Sequence, residues 1–425
     1  MRIAFVFPPM WSPHSDGSLQ IWNRQVTTHL SKSSDVLVYS GLFSLKSDEN
    51  IDGVQYRRFS TRWDNGFLKQ FRFIRRFLGV NGPLFKSDLW YVGYYLRVAL
   101  DLRRKACDIV HVHYYPQFAS LIKRFNPKLR VVLHMHGEWL TQVRFKDLSS
   151  RLRQIDLVVS CSEFITKGVA ARFPQIANHC RTVPMGVSAD FLSFRSEDSH
   201  ADSSATRQLL CVGRISPEKG IHVLLDAFEL IIREFPDVAL TIVGPEWVAP
   251  REDITDLSLP KDVIDGLALY YQDSYLLQLQ GKLSADAARK VTFAGLVRHR
   301  DIPAFYKKAD IYIGPSLYES FGVSIIEAMT AGVPVVATRV GAVPEVISEG
   351  KSGLMVDSNN PRAIADAVVR LLTNSQLRNS MSFAARDMIW KRFSWETICS
   401  ALVETYLEVL DHRTVSLDHA ESVAK

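Results

Sequence analysis

Cysteine is scarce and shows no pairing pattern: five residues, at 107, 161, 180, 211 and 399, with no Cys-x-x-Cys spacing. That suits a reducing, cytoplasmic setting and excludes both a disulfide framework and a cysteine zinc site. Long apolar runs are missing as well. The stretch Leu89 to Leu100 is broken by Arg97 and falls short of the roughly 18 residues that a membrane span needs. Ile3 to Phe7, followed at once by Pro8-Pro9, is too short for the apolar region of a secretory leader, so the mature chain is expected to begin near Met1. No two glycines stand as Gly-x-Gly, which removes the dinucleotide fingerprint and argues against an NAD-dependent enzyme. His-Glu-x-x-His, Gly-x-Ser-x-Gly and Asp-x-Asp are absent too. Metal-dependent hydrolysis and metal-held diphosphates lose their usual ligands, and no metal or cofactor is expected. Gly350-Lys351-Ser352 looks like the end of a phosphate loop, but Glu345 stands where the earlier glycine is required, and the segment reads as a surface turn.

What is present is ample core material. The chain has 425 residues, 47% hydrophobic and 23% charged, enough for two ordinary domains. Its 51 basic and 45 acidic residues leave a net charge of +6. Between residues 57 and 76, Arg57, Arg58, Arg62, Lys69, Arg72, Arg75 and Arg76 oppose only Asp64, so this stretch accounts for the excess. One basic patch on a balanced chain points to a single anionic contact surface and not to a general nucleic-acid binder.

Short β-branched runs alternate with helical stretches. Ile3 to Phe7, Val36 to Tyr39, Ile109 to His113, Val131 to His134 and Leu157 to Ser160 read as strands, with a helix from Leu19 to Leu30. The polar stretch 195–206 reads as a linker. The pattern then restarts with strands Leu209 to Val212, Ala239 to Val243, Val291 to Phe293, Ile311 to Ile313 and Val335 to Ala337, and helices Ile221 to Glu234, Val323 to Ala331 and Ala363 to Leu372. The fold class is α/β: two doubly wound, Rossmann-like domains, 1–194 and 207–390, facing across a cleft. Residues 247–282 look like an insertion with some helix of its own. A last helix over 391–412, strongest from Trp395 to Leu410 with Ile398, Leu402, Tyr406, Leu407 and Leu410 on one face, is expected to return to the first domain, with 413–425 a frayed tail.

Ligands of open α/β sheets bind outside the carboxyl ends of the strands, so the loops there carry the candidate chemistry. Gly213-Arg214-Ile215-Ser216-Pro217-Glu218-Lys219-Gly220 leads from a strand into a helix. Its glycines allow close approach, the helix start offers N–H groups, and Arg214 with Lys219 adds two cations, a set that suits a diphosphate held without a metal. A plain turn with two solvated cations is the competing reading. Further on, Pro315-Ser316-Leu317-Tyr318-Glu319-Ser320-Phe321-Gly322 precedes a helix bearing Glu327. Among 17 glutamates about one pair spaced by eight arises by chance, and Glu396 with Glu404 is another. Only the loop setting of Glu319 distinguishes it. In the first domain His134 and His136 end a strand on one side of the sheet, His136 beside Gly137. A histidine in such a place is more often a satisfied structural residue, and the same holds for His111 and His113. Gly17 precedes a helix after the first strand and could offer N–H groups to a phosphate.

Taken together, Asp108 to His113, His136-Gly137, Val183-Pro184-Met185-Gly186-Val187, the Gly213 to Gly220 loop and Pro315 to Gly332 resemble the retaining nucleotide-sugar glycosyltransferases of family 4, with the GT-B architecture. Glu319-Ser320-Phe321-Gly322-Val323-Ser324-Ile325-Ile326-Glu327 looks like that family's Glu-x7-Glu signature. The resemblance implies an acceptor-side first domain and a nucleotide-sugar-binding second domain. Sugar would pass from a nucleoside-diphosphate donor to a hydroxyl of a glycan, a lipid-linked acceptor or a small molecule, with retention. It implies that Arg214 and Lys219 bind the diphosphate and Glu319 the transferred sugar. Glu327 would bind the ribose and His136 the sugar near the reacting centre. Donor contacts are further implied at Gly17, Val297, Arg298, Phe321, Gly322, Val323 and Ser324. One departure is that Gly17-Ser18 stands where the family commonly has paired glycines. A nucleotide-sugar epimerase on the same fold, or a non-catalytic sugar-nucleotide-binding protein, is the alternative. Residues 67–78 interleave aromatics with cations and could lie on an anionic membrane surface, which makes the expected location cytoplasmic and peripheral at the inner face.

Overall fold

The computed structural model describes the chain apart from residues 11, 13–14, 43–47, 78–86, 143–147, 193–205, 249–258 and 423–425, and apart from the side chains of 72, 74–77, 142 and 412–422. Two compact units emerge, Met1–Pro184 with Trp395–Lys425, and Met185–Ser394.

The first unit is built on an eight-stranded sheet. Its strands are β1 (Arg2–Val6), β2 (Asp35–Gly41), β3 (Asp48–Ile51), β4 (Val54–Phe59), β5 (Ile109–His113), β6 (Arg130–Met135), β7 (Leu157–Ser160) and β8 (Cys180–Thr182). They lie in the order β3-β4-β2-β1-β5-β6-β7-β8. Every neighbouring pair is parallel except β3 with β4. Continuous apolar runs form these strands because helices cover both faces: Ile3 to Phe7 is wholly buried. Strand order reverses between β1 and β5. The closing helix, Trp395–Ser422, packs on the helix Ser18–Leu30 of this unit. It buries Ile398, Leu402, Tyr406 and Val409, whereas Leu407, expected on the same face, is 48% exposed. The 3.6-residue period explains this, since Leu407 stands well over a quarter turn from the stripe that begins at Ile398. The helix also continues to Ser422, past residue 413, where a frayed tail is expected to start.

The second unit carries a six-stranded, all-parallel sheet. Its strands are β9 (Arg207–Val212), β10 (Val238–Val243), β11 (Val291–Gly295), β12 (Ile311–Gly314), β13 (Val335–Thr338) and β14 (Leu354–Val356). They lie in the order β11-β10-β9-β12-β13-β14, so the reversal falls between β9 and β12. The insertion after β10 contributes the helices Lys261–Leu267 and Tyr275–Lys282, and Leu267, Tyr275 and Leu279 join the main core. The boundary between units falls after Pro184, not after residue 194. Val187 donates its N–H to the Phe393 carbonyl at 2.8 Å, and Phe191 is buried against Tyr306 and His299. The expected linker, 195–206, lies outside the described residues apart from Thr206.

The basic stretch is less uniform than its sequence. Arg57 pairs with Asp48 and Asp101, and the buried Arg58 pairs with Glu49, so these two cations brace β4 instead of adding to a free patch. The rest sit on the helix Arg62–Phe77.

Candidate active site

Lys219 and Glu319 are 100 residues apart and meet at the strand reversal of the second unit. Lys219 follows β9 and Glu319 follows β12, and Lys219 Nζ donates to Glu319 Oε2 at 2.7 Å. Glu319 Oε2 also accepts from Ser316 Oγ at 3.2 Å. Two glycines make this approach possible. Gly220, at φ +66°, ends the Lys219 turn, and a Cβ there would run into the Pro315 carbonyl. Gly341, at φ +50°, lies directly against the Glu319 carbonyl, where a side chain would collide with backbone.

Arg214 stands at the same mouth. Its Nη2 donates to Glu218 Oε1 at 2.9 Å, and its guanidinium lies over the Trp247 ring, 4.6 Å from the centroid. Nη1 is shielded from solvent and has no hydrogen-bond partner among the described residues. Glu218 is buried and held again by Ser216 Oγ at 2.7 Å, so it fixes the arginine from below. The sequence reading passed over Glu218 as part of the loop. Its signal was the four-residue spacing from Arg214.

Glu327 lies one turn into the helix Val323–Thr330 and is buried. Oε1 is 2.8 Å from His299 Nε2, and Oε2 accepts from Tyr306 at 3.1 Å. Burial and the adjacent Glu327 carboxylate raise the Tyr306 phenol well above its ordinary range, which keeps it a donor. Tyr312, also raised by burial, donates to Ser324 Oγ at 2.7 Å. Gly322, at φ +99°, caps this helix, whose first turn leaves N–H groups outside the helical ladder. Phe321 is different: its ring is buried edge-on against Phe393, so it anchors the loop and can offer a ligand only backbone. Val297 and exposed Arg298 follow β11, the edge strand, separated from β9 by β10. Arg214, Lys219, Glu319, Glu327 and the Gly322 to Ser324 turn therefore belong to one strand-end surface. Glu218, His299, Tyr306 and Gly341 are the supporting residues that sequence reasoning missed.

The remaining candidates, Gly17 and His136, belong to the first unit. Gly17 caps the helix Ser18–Leu30 after β1. His136 follows β6, and its Nε2 is 3.0 Å from His113 Nδ1. Burial lowers its pKa to about 3, so the ring is neutral at pH 7.

The second unit is doubly wound and gathers two cations and two carboxylates at the carboxyl ends of its strands, where open α/β sheets bind ligands. Residues 195–388 match the family described as glycosyl transferases group 1, and residues 51–191 match glycosyltransferase family 4. The chain is similar to spore coat protein SA of Bacillus subtilis, 26% identical with 92% of this chain and 94% of that protein covered. It is also similar to a D-inositol 3-phosphate glycosyltransferase of Corynebacterium urealyticum, 28% identical over 70% of this chain and 71% of that one. Among solved structures, HepE of Anabaena in complex with UDP and glucose superposes with a TM-score of 0.64 at 18% identity, covering 96% of this chain and all of that one, which shows the fold. The chain belongs to the family 4 nucleotide-sugar glycosyltransferases and has the GT-B architecture of two α/β units. It is a glycosyltransferase enzyme.

Proposed function

We propose that the chain transfers a hexose or related sugar from a nucleoside-diphosphate sugar to a hydroxyl of a glycan, lipid-linked or small acceptor, with retention and with no metal at the diphosphate. The observation that carries this reading is the Lys219–Glu319 contact across the β9/β12 switch point. It joins the group suited to the diphosphate with the group suited to the sugar. Arg214 and Lys219 neutralise the leaving nucleoside diphosphate, the role a divalent ion fills elsewhere. Arg214 brings an unpartnered Nη1 to that task. Glu319 contacts the transferred sugar, and its carboxylate also keeps Lys219 extended. Glu327 holds ribose hydroxyls, while the N–H groups of Gly322, Val323 and Ser324 face sugar or phosphate. Val297 and Arg298 meet the base through main chain. Gly17 and His136 serve from the first unit, His136 at the sugar. Binding of UDP and glucose by HepE supports a uridine or similar donor.

The test is donor turnover by an Arg214→Ala, Lys219→Ala double variant. Loss of at least about a hundredfold is expected, because donors aimed at a developing charge are worth several kcal/mol. Activity within about threefold of the parent removes the proposed role. Nuclear magnetic resonance of the first product formed reports the anomer; inversion contradicts retention.

The helix Arg62–Phe77 suits an anionic membrane surface. Trp63 stacks on Phe67 and Phe67 on Phe71 along one row, Trp63 and Phe73 are exposed, and exposed Lys69 lies one turn before Phe73. The side chains of Arg72, Arg75 and Arg76 lie outside the described residues. No helix among the described residues is long and apolar enough to cross a membrane. The proposed association is peripheral, at the cytoplasmic face. An Arg72, Arg75, Arg76 triple alanine variant should lose co-sedimentation with anionic liposomes at low salt. Unchanged binding discards the membrane surface as a partner.

A further inference from the structure

Four histidines stand together on β5 and at the end of β6, and the donor site uses at most one of them. His113 pairs with His134 across the two strands, and His111 lies two residues back on the same face. His111, His113 and His134 are each 0% exposed. Each offers one ring nitrogen, and the three atoms lie within 4.8 Å of one another. The indole of Trp22 roofs the cluster, edge-on to His134 at 4.8 Å and stacked on His111 at 5.4 Å.

Hydrogen bonding within the cluster is incomplete. His111 Nε2 lies 3.0 Å from His134 Nδ1, and His113 Nδ1 lies 3.0 Å from His136 Nε2. That leaves Nε2 of His113 buried with no partner among the described residues, an arrangement that native interiors rarely tolerate without an ion or water. The groups that bear electrostatically on the rings are other histidines, and burial holds all four neutral, the form that ligates metal.

We propose that His111, His113 and His134 form a binding site for one imidazole-preferring transition-metal ion, copper(I) ahead of zinc(II). Imidazole nitrogens at about 2.05 Å from a tetrahedral ion stand about 3.3 Å apart, so the His111–His134 pair needs to open by only about 0.3 Å. Neutral donors in dry surroundings favour the singly charged ion, because the cost of burying charge rises steeply with charge. The outer partners are already in place. Tyr406 Oη lies 2.7 Å from His111 Nδ1, and His136 Nε2 sits against His113 Nδ1. Each can accept the N–H of a ligating ring and fix its tautomer. On binding, His111 carries its proton on Nδ1, donated to Tyr406, and frees the Nε2 lone pair. His134 keeps its proton on Nε2 and ligates through Nδ1, so no net proton is released. The ion would tie β5, β6 and the closing helix together beneath His136, and it is separate from the diphosphate grip of the second unit.

The experiment loads the full chain with copper(I) under anaerobic competition with bathocuproine disulfonate, or with zinc(II), removes free metal by gel filtration and measures bound metal by mass spectrometry. About one ion per chain is expected, with a raised melting temperature, because an ion that binds only the native state stabilises it. X-ray absorption should show nitrogen ligands at about 2.0 Å with imidazole scattering. His111→Gln and His134→Gln, checked for folding by circular dichroism, should each reduce uptake by about tenfold or more. Wild-type uptake below about a tenth of an ion for both metals, or uptake unchanged in folded variants, overturns the site.

Discussion

Glu327 shows how a single side chain is prepared for its task. Its two oxygens are held from separate elements, by His299 at 2.8 Å and Tyr306 at 3.1 Å, so the carboxylate is held in one orientation for the ribose contact proposed above. Leaving a buried carboxylate short of a partner costs about 1–3 kcal/mol. On the proposed ribose role, His299→Ala should therefore raise KM for the donor by about tenfold, with kcat changed by less than about threefold, because such a contact would be made equally in the ground and transition states. An equal fall in kcat and kcat/KM in steady-state assays would move Glu327 to the reacting centre instead. At this scale Arg214, Lys219, Glu319 and Glu327 were legible because each sits in or just after a Gly- or Pro-bounded strand-end loop. Their supports were not. His299 joins Glu327 across 28 residues of chain, and Gly341 matters only because the Glu319 carbonyl leaves no room beside it. Neither relation has a spacing that can be read from sequence.

The β5–β6 pair brings together residues that sequence treated one by one. Its register sets His113 against His134, and the closing helix adds Tyr406 to His111. Burial lowers the pKa of His111, His113 and His134 well below the ordinary 6.5. The unfolded chain then binds protons that the native chain refuses, so these rings cost stability as the pH falls below about 6.5 and nothing above it. Each contributes a slope of up to about 1.4 kcal/mol per pH unit. Urea unfolding between pH 7.5 and 5 should show stability falling with acid, and His111→Phe should flatten that fall by about one proton. A profile that is flat, or identical in the variant, would contradict neutral burial. The central strands were readable as unbroken apolar runs, whereas β3, β8 and β14 have only three or four residues each and carry no period of their own. The helix Ser375–Phe393 was missed although Asn374 caps it, because buried Arg378 interrupts its apolar stripe. That arginine is satisfied by the Leu371 and Leu372 carbonyls, a contact formed only once the preceding helix has ended.

For the molecule as a whole, the chain leaves the first unit after Pro184 and re-enters it at Trp395, so the closing helix completes a core begun almost 400 residues earlier. The chemistry assigned here to the second unit rests on cations at a strand reversal, and it can be measured without knowing the acceptor. Isothermal titration of UDP, GDP and ADP in excess EDTA, compared with the matching monophosphates, reads the diphosphate grip directly. The account predicts that one diphosphate binds in EDTA at least about tenfold tighter than its monophosphate, and that Arg214→Ala with Lys219→Ala erases the difference. Binding that needs a divalent ion, or a preference for the diphosphate that survives in the double variant, would contradict it.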